Sequence, residues 1–175
     1  MSYVKAGVPS VADINHCLES TLSVARNEYK YVADVETAFG ELPAVECYPG
    51  ELNQVFLNIL VNAAHAIADT KQRGKITVST RALGESVEIA IADTGVGIPA
   101  ENRDKIYELF FTTKEVGRGT GQGLYLAYQT VVGKHGGTLN CESTVGVGTT
   151  FRITIPVKFA AQPAIEGQAA DTPAS

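Results

Sequence analysis

Two asparagines four residues apart, one aspartate running into a glycine turn, and a run of alternating glycines are the parts of this chain whose residue types and spacing bear on chemistry. Asn58 and Asn62 stand at i and i+4, so on a helix their carboxamides point the same way. Asparagine is a poor helix-interior residue because its amide competes for backbone hydrogen bonds. The pair suits either a solvated polar face or carboxamide oxygens turned to a ligand. In the second case one ligates a hard cation such as Mg²⁺ while substrate phosphates and water fill its other positions. Asp93 ends the run Val87-Glu88-Ile89-Ala90-Ile91-Ala92 and opens Thr94-Gly95-Val96-Gly97. A carboxylate placed there can accept from an exocyclic amine, as on adenine, with the glycines letting a flat ring approach the backbone. An ordinary Asp-Gly turn is the other reading.

Downstream, Gly117, Gly119, Gly121 and Gly123 alternate through Gly117-Arg118-Gly119-Thr120-Gly121-Gln122-Gly123-Leu124. Such a comb exposes N–H groups and feeds a helix N-terminus, where anions are favoured. No Lys-Ser/Thr pair follows its last glycine, so it is not a Walker loop; a flexible surface loop is the alternative. Just ahead of it, Phe110-Phe111-Thr112-Thr113-Lys114 offers an aromatic pair to anchor a lid, and Lys114 or Arg118 could meet phosphate charge. Core packing of Phe110 or Phe111 and a solvated Lys114 are equally open. Gly95-Val96-Gly97-Ile98-Pro99-Ala100 also matches a dinucleotide-binding G-x-G-x-x-A. That reading is set aside, because no parallel strand returns after it and Asp93 would repel a pyrophosphate.

The elements that must position these groups follow from periodicity. A helix is predicted over residues 10–30, capped by Ser10 and striped by Ile14, Leu18, Leu22 and Ala25. A short strand over 35–39 and a link marked by Pro43 and Pro49-Gly50 follow. The helix over 51–70 has the apolar stripe Leu52, Val55, Phe56, Ile59, Leu60, Ala63 and Ile67, and the polar face Gln54, Asn58, Asn62, His65 and Asp69. Strands over 75–83 and 86–92 meet in a hairpin at Gly84-Glu85. Pro99 suits the first turn of a short helix reaching residue 109, and a longer helix spans 123–135 up to Gly136-Gly137. Strands over 138–143 and 149–157 close the chain around Gly146-Val147-Gly148. This order predicts a two-layer α/β sandwich, with helices on one face of a mixed, mostly antiparallel sheet. Residues 10–158 form the domain, 1–9 an N-terminal extension, and 159–175 a small-residue, proline-bearing tail read as disordered.

Composition limits the function classes. A net charge of −5 with no basic run argues against nucleic-acid binding. No apolar run approaches the roughly 18 residues of a membrane span, and no signal peptide is evident, so a cytoplasmic setting without direct membrane contact is expected. Cys17, Cys47 and Cys141 are too far apart for a metal knuckle and read as reduced thiols.

Taken in order, the Asn-bearing helix, the strand-Asp-x-Gly-x-Gly, F-F-T-T-K, the comb and a final Gly146-Val147-Gly148-Thr149-Thr150-Phe151 resemble the ATP-binding domain of bacterial sensor histidine kinases. That domain belongs to the GHKL superfamily, with the Bergerat-type fold, alongside type II topoisomerases, Hsp90 and mismatch-repair ATPases. The resemblance implies ATP and Mg²⁺ as cofactors. It makes Asn62 the Mg²⁺ ligand with Asn58 beside it as catalytic neighbour and further metal candidate, and Asp93 the acceptor of the adenine amine, with Gly95, Gly97 and Ile98 around it. Thr113, Lys114, Gly117, Arg118, Gly119, Thr120, Gly121, Gln122, Gly123 and Leu124 become lid and phosphate cradle, and Thr149 lies near the adenine. Asn58 stands where the topoisomerase and chaperone branches carry a water-activating glutamate, so efficient hydrolysis is not expected. His65 stands where some kinases carry a phosphate-contacting lysine, and Gln122 replaces a leucine common in the comb. Neither His16, His65 nor His135 has a phosphoacceptor context. The resemblance therefore implies a catalytic domain, monomeric by itself, that phosphorylates a histidine on a separate dimerisation domain and so serves a response regulator. Alternatives are a stand-alone serine kinase of the anti-sigma-factor type, an ATP-dependent clamp, and a non-catalytic nucleotide-binding module.

Overall fold

The periodicities resolve into the order β1 (Ser10–Ala12), α1 (Ile14–Val24), α2 (Arg26–Tyr29), β2 (Ala33–Phe39), β3 (Val45–Cys47), α3 (Pro49–Ala68), β4 (Gly74–Leu83), β5 (Ser86–Asp93), a 3-10 turn (Ala100–Lys105), α4 (Gly123–Tyr128), a π-helical turn (Gln129–Lys134), β6 (Thr138–Thr144) and β7 (Gly148–Pro156). This computed structural model describes residues 8–108 and 123–159. Five strands form one sheet in the order β2-β4-β5-β7-β6; β2 and β4 run parallel and every other pair antiparallel. The expected sandwich is therefore present. The antiparallel partners of β5 on both sides also explain why the dinucleotide pattern after it is not a Rossmann turn.

Side chains on the helix-facing side of the sheet line up in rows across the strands. Thr80, Ile89, Ile153 and Leu139 make one row, and Val78, Ile91, Phe151 and Cys141 the next. The buried stripe of α3, including Leu52, Phe56, Ile59, Leu60 and Ile67, lies over this side with Ile14 and Leu18 of α1 in one continuous core. The opposite face is solvated, and Arg81, Glu88, Arg152 and Glu142 form a charge ladder across four strands there. Asn15 ties α1 to the sheet: its Nδ2 donates to Gly40 O at 2.8 Å and its Oδ1 accepts from Thr80 Oγ1 at 2.8 Å.

Several expectations need correction. Ser10 does not cap a helix; it lies in β1, which pairs antiparallel with β3, a strand within the stretch whose prolines predict only a link. Asp13 caps α1 instead, its Oδ1 accepting from His16 N at 3.2 Å. The predicted helix breaks at Ala25 into α1 and α2. The short helix after Pro99 is only a 3-10 turn, and the helix from Gly123 widens to π geometry at Gln129. Phe159, assigned to the tail, is part of the fold. Its N–H donates to Glu46 Oε1 at 3.0 Å and its ring packs edge-on against Tyr48 and His135. The remaining tail, 160–175, lies outside the described residues.

Candidate nucleotide site

The last helix-facing row of the sheet breaks the apolar pattern, and the candidate site is built on it. Ile76, Asp93, Thr149 and Ser143 stand in register across β4, β5, β7 and β6. Asp93 is 9 % exposed, and its Oδ1 accepts from Gly95 N at 2.8 Å. Burial pushes its carboxyl up to about 6, against the lowering effect of the Gly95 and Thr149 N–H groups. At neutral pH it is an ionised, partly desolvated acceptor with lone pairs to spare.

The Asp93 loop is pinned from two sides. Val96 N donates to Ala66 O of α3 at 3.1 Å, and Val96 O accepts from Gly146 N in the β6–β7 turn at 2.9 Å. This changes the meaning of the glycines. A Cβ on Gly95 would lie 2.5 Å from Ala66 Cβ, and Gly97, at φ +82°, would drive one into Thr144 O. They are required by the docking of the loop onto α3 and the turn, a constraint separate from the ligand approach expected of them. Ile98 is likewise held from within, its N–H donating to Ser143 Oγ at 2.7 Å.

Helix α3 forms the second wall, and its i, i+4, i+8 line orders the site. Asn58 Nδ2 donates to Gly123 O at 3.3 Å, and its Oδ1 accepts from Gln54 Nε2 at 3.1 Å. Asn58 thus fastens α3 to the residue where α4 begins, and Leu124 packs partly into the core beside it. Ala66, eight residues on, receives the Asp93 loop. Asn62 falls between those two attachments, half-buried, with His65 on the adjoining part of the same polar face. Thr113, Lys114, Gly117, Arg118, Gly119, Thr120, Gly121 and Gln122, with Phe110 and Phe111, lie outside the described residues. Among the described residues the structure therefore brings Asn58, Asn62, Asp93, Gly95, Gly97, Ile98, Gly123 and Thr149 to one region.

Ser143 was not picked out from the sequence. It is 9 % exposed, lies 2.7 Å from Thr149 Oγ1, and donates to Gly148 O at 3.1 Å. The Arg103 guanidinium donates to its carbonyl. Reading the alternation of the closing hairpin as a register would have paired it with Thr149. The arrangement offers a buried acceptor beside a hydroxyl pair at one end, carboxamides in the middle and a helix start at the other. Among the described residues no group of His, Cys, Asp and Glu could hold a metal by itself.

The family described as histidine kinase-, DNA gyrase B-, and HSP90-like ATPase matches residues 48–158. The sensor histidine kinase ZraS of Escherichia coli (strain K12) is 40% identical over 123 residues, 70% of this chain and 25% of that protein. The catalytic domain of histidine kinase ThkA superposes with a TM-score of 0.75 at 26% identity, over 86% of this chain and 96% of that one. Full-length ShkA in complex with AMPPNP gives a TM-score of 0.75 at 25% identity, over 89% of this chain and 32% of that one. The chain spans between 12% and 31% of the length of the curated relatives it matches.

Proposed function

This chain belongs to the histidine kinase-, DNA gyrase B-, and HSP90-like ATPase family, and we propose that it works as the Mg·ATP-binding catalytic domain of a sensor histidine kinase. The observation that carries the reading is the α3 line, with Asn58 fastened to the start of α4, Ala66 to the Asp93 loop, and Asn62 between them. A nucleotide laid along that line has its adenine amine on Asp93 and its phosphates at Asn62 and the start of α4. Full-length ShkA, similar in fold, is in complex with AMPPNP, which supports a nucleotide as the ligand. The donor chemistry also fits Mg²⁺. Asn62 supplies one neutral oxygen and no carboxylate cage is formed among the described residues, which suits an ion that keeps water and takes phosphate oxygens. When bound, Mg²⁺ would supply neutralisation of phosphate charge.

The protein's own part is positioning. Asp93 selects the base, Asn58 holds the root of α4, and no carboxylate stands at Asn58 to activate water, which favours transfer over hydrolysis. The acceptor would be a histidine on a dimerisation domain of the same parent protein or supplied in trans, with a response regulator receiving the phosphoryl group afterwards. No helix among the described residues is long and apolar enough to cross a membrane. The test adds a separately made, histidine-bearing dimerisation domain and γ-labelled ATP with Mg²⁺. Acid-labile label on that domain is expected; acid-stable phosphoserine, or no nucleotide binding at all, refutes the reading.

A further inference from the structure

Resting on the nucleotide placement just made, we propose that His135 is a positioning residue for phosphate recognition. By holding the far end of the α4 segment to Tyr48, it fixes where that segment starts against Asn58. α4 and its π-helical turn run antiparallel to the first half of α3, with a joint at each end. One joint is at Asn58, whose Nδ2 donates to Gly123 O at 3.3 Å. The other lies about 15 Å away along α3, where Tyr48 N–H donates to His135 Nε2 at 3.1 Å. Between them Ala127 and Val131 are buried apolar contacts. Such contacts resist separation but are not directional, so the bonds at the two ends set the register.

The His135 ring is itself held in one orientation. Its backbone N–H donates to Thr130 O at 3.1 Å, and Nδ1 lies 2.8 Å from the same carbonyl. A carbonyl only accepts, so Nδ1 carries the proton and Nε2 presents the lone pair that Tyr48 N–H requires. Burial favours this neutral form, against the Thr130 carbonyl and Glu51 and together with Lys134. The rings of Tyr48 and Phe159 stand edge-on to the imidazole, with centroids 5.7 and 5.6 Å away, and keep water from competing for its bonds. The Lys134–Glu51 pair crosses the same joint at 2.8 Å, but both side chains are 39% exposed, so solvent screens it. The Asp93 loop hangs on Ala66 and on Gly146 instead. Releasing His135 therefore shifts the phosphate end of the site and leaves the base end in place.

The test compares ADP in the presence of Mg²⁺ with adenosine, which keeps the base and lacks the phosphates, by NMR titration of the full chain. The ratio of the two affinities measures what the phosphate end contributes. His135→Leu fills the space without either ring bond. It is expected to lower the ratio about fivefold, the worth of one hydrogen bond, with adenosine affinity unchanged. His135→Asn keeps a donor for Thr130 O but does not reach Tyr48; it is expected to do the same, and serves should His135→Leu not fold. His135→Gln, whose Oε1 accepts from Tyr48 N–H near the Nε2 position, is expected to restore the wild-type ratio. A purely structural histidine would lower melting temperature and leave the ratio in place. An unchanged ratio in the Leu or Asn variant, an equal loss of ADP and adenosine binding, or a Gln variant that behaves as the Leu variant does overturns the proposal. Failure of the underlying placement shows separately, in the wild type, as equal affinity for ADP and adenosine.

Discussion

Replacing Asp93 by asparagine is expected to stabilise the folded chain at neutral pH while weakening nucleotide binding. The carboxyl is raised from its ordinary 3.8 to about 6, chiefly by burial, so the folded protein binds that proton more tightly than the unfolded chain. The stability it contributes is therefore present below pH 4 and is lost as pH rises through 6. Above pH 6 the ionised form carries a cost of about 3 kcal/mol. Asparagine removes the charge and keeps an oxygen for the Gly95 N–H, but its amide opposes the Thr149 N–H, which returns about 1–2 kcal/mol of the gain. The variant should thus be about 1–2 kcal/mol more stable than wild type at pH 8 and less stable by a similar amount at pH 4, a swing of about 3 kcal/mol. In melting temperature that swing is about 9 °C for a chain of this size. Urea denaturation of both proteins at half-unit intervals from pH 4 to pH 8 measures it, since titrations shared by the two cancel in the difference. A stability difference that stays constant across this range, or grows toward acid in the variant's favour, refutes the burial argument. Titration with ADP at pH 8 supplies the other half. Asparagine sets an N–H against the adenine amine, and a loss of at least about tenfold is expected despite the gain in stability.

Gly95→Ala forces a Cβ to within 2.5 Å of Ala66 Cβ, so the Asp93 loop or α3 must move; a loss of about 1–3 kcal/mol in urea denaturation is expected, with weaker ADP binding. Thr80→Val strands the Asn15 carboxamide oxygen inside the α1–sheet junction and should cost about 1–3 kcal/mol, whereas Thr80→Ser keeps the bond and most of the stability. Asn62→Ala is expected to abolish the strengthening of ADP binding by Mg²⁺ while leaving Mg²⁺-free binding in place; an undiminished Mg²⁺ effect would falsify its assignment as ligand. His135 is buried, its Nε2 accepting from Tyr48 N at 3.1 Å and its Nδ1 bonded to Thr130 O at 2.8 Å, and burial holds its pKa below the usual value despite the Thr130 carbonyl and Glu51. Its contribution to stability is fully present above about pH 6.5 and is lost as pH falls from there, so wild type should lose stability on acidification more steeply than His135→Gln, by thermal melts between pH 5 and 8.

How much of this was legible in the chain depends on the range over which each residue's environment is set. The helix bearing Asn58 and Asn62 and the strand ending at Asp93 were legible because the periods of 3.6 and 2 arise from local backbone geometry. Near Ser10 the same reasoning failed: three residues of β1 are strand only because β3, remote in sequence, pairs with them, and Asp13 then becomes the free cap. Phe159 looked like tail because nothing local marks it; its partners Glu46, Tyr48 and His135 come from other parts of the chain.

By itself the sequence determined which residue types are available, the order in which they occur, and the faces that α3 and the strands present, since these follow from side-chain chemistry and local periodicity. Only the tertiary structure decided that Asp93, Thr149 and Ser143 share one row, that the glycines beside Asp93 make room for Ala66 and Thr144, and that Asn58 is spent on Gly123. Those are contacts between segments far apart along the chain. Their geometry, and the low-dielectric burial that raises Asp93, exist only once sheet and helix have closed on one another.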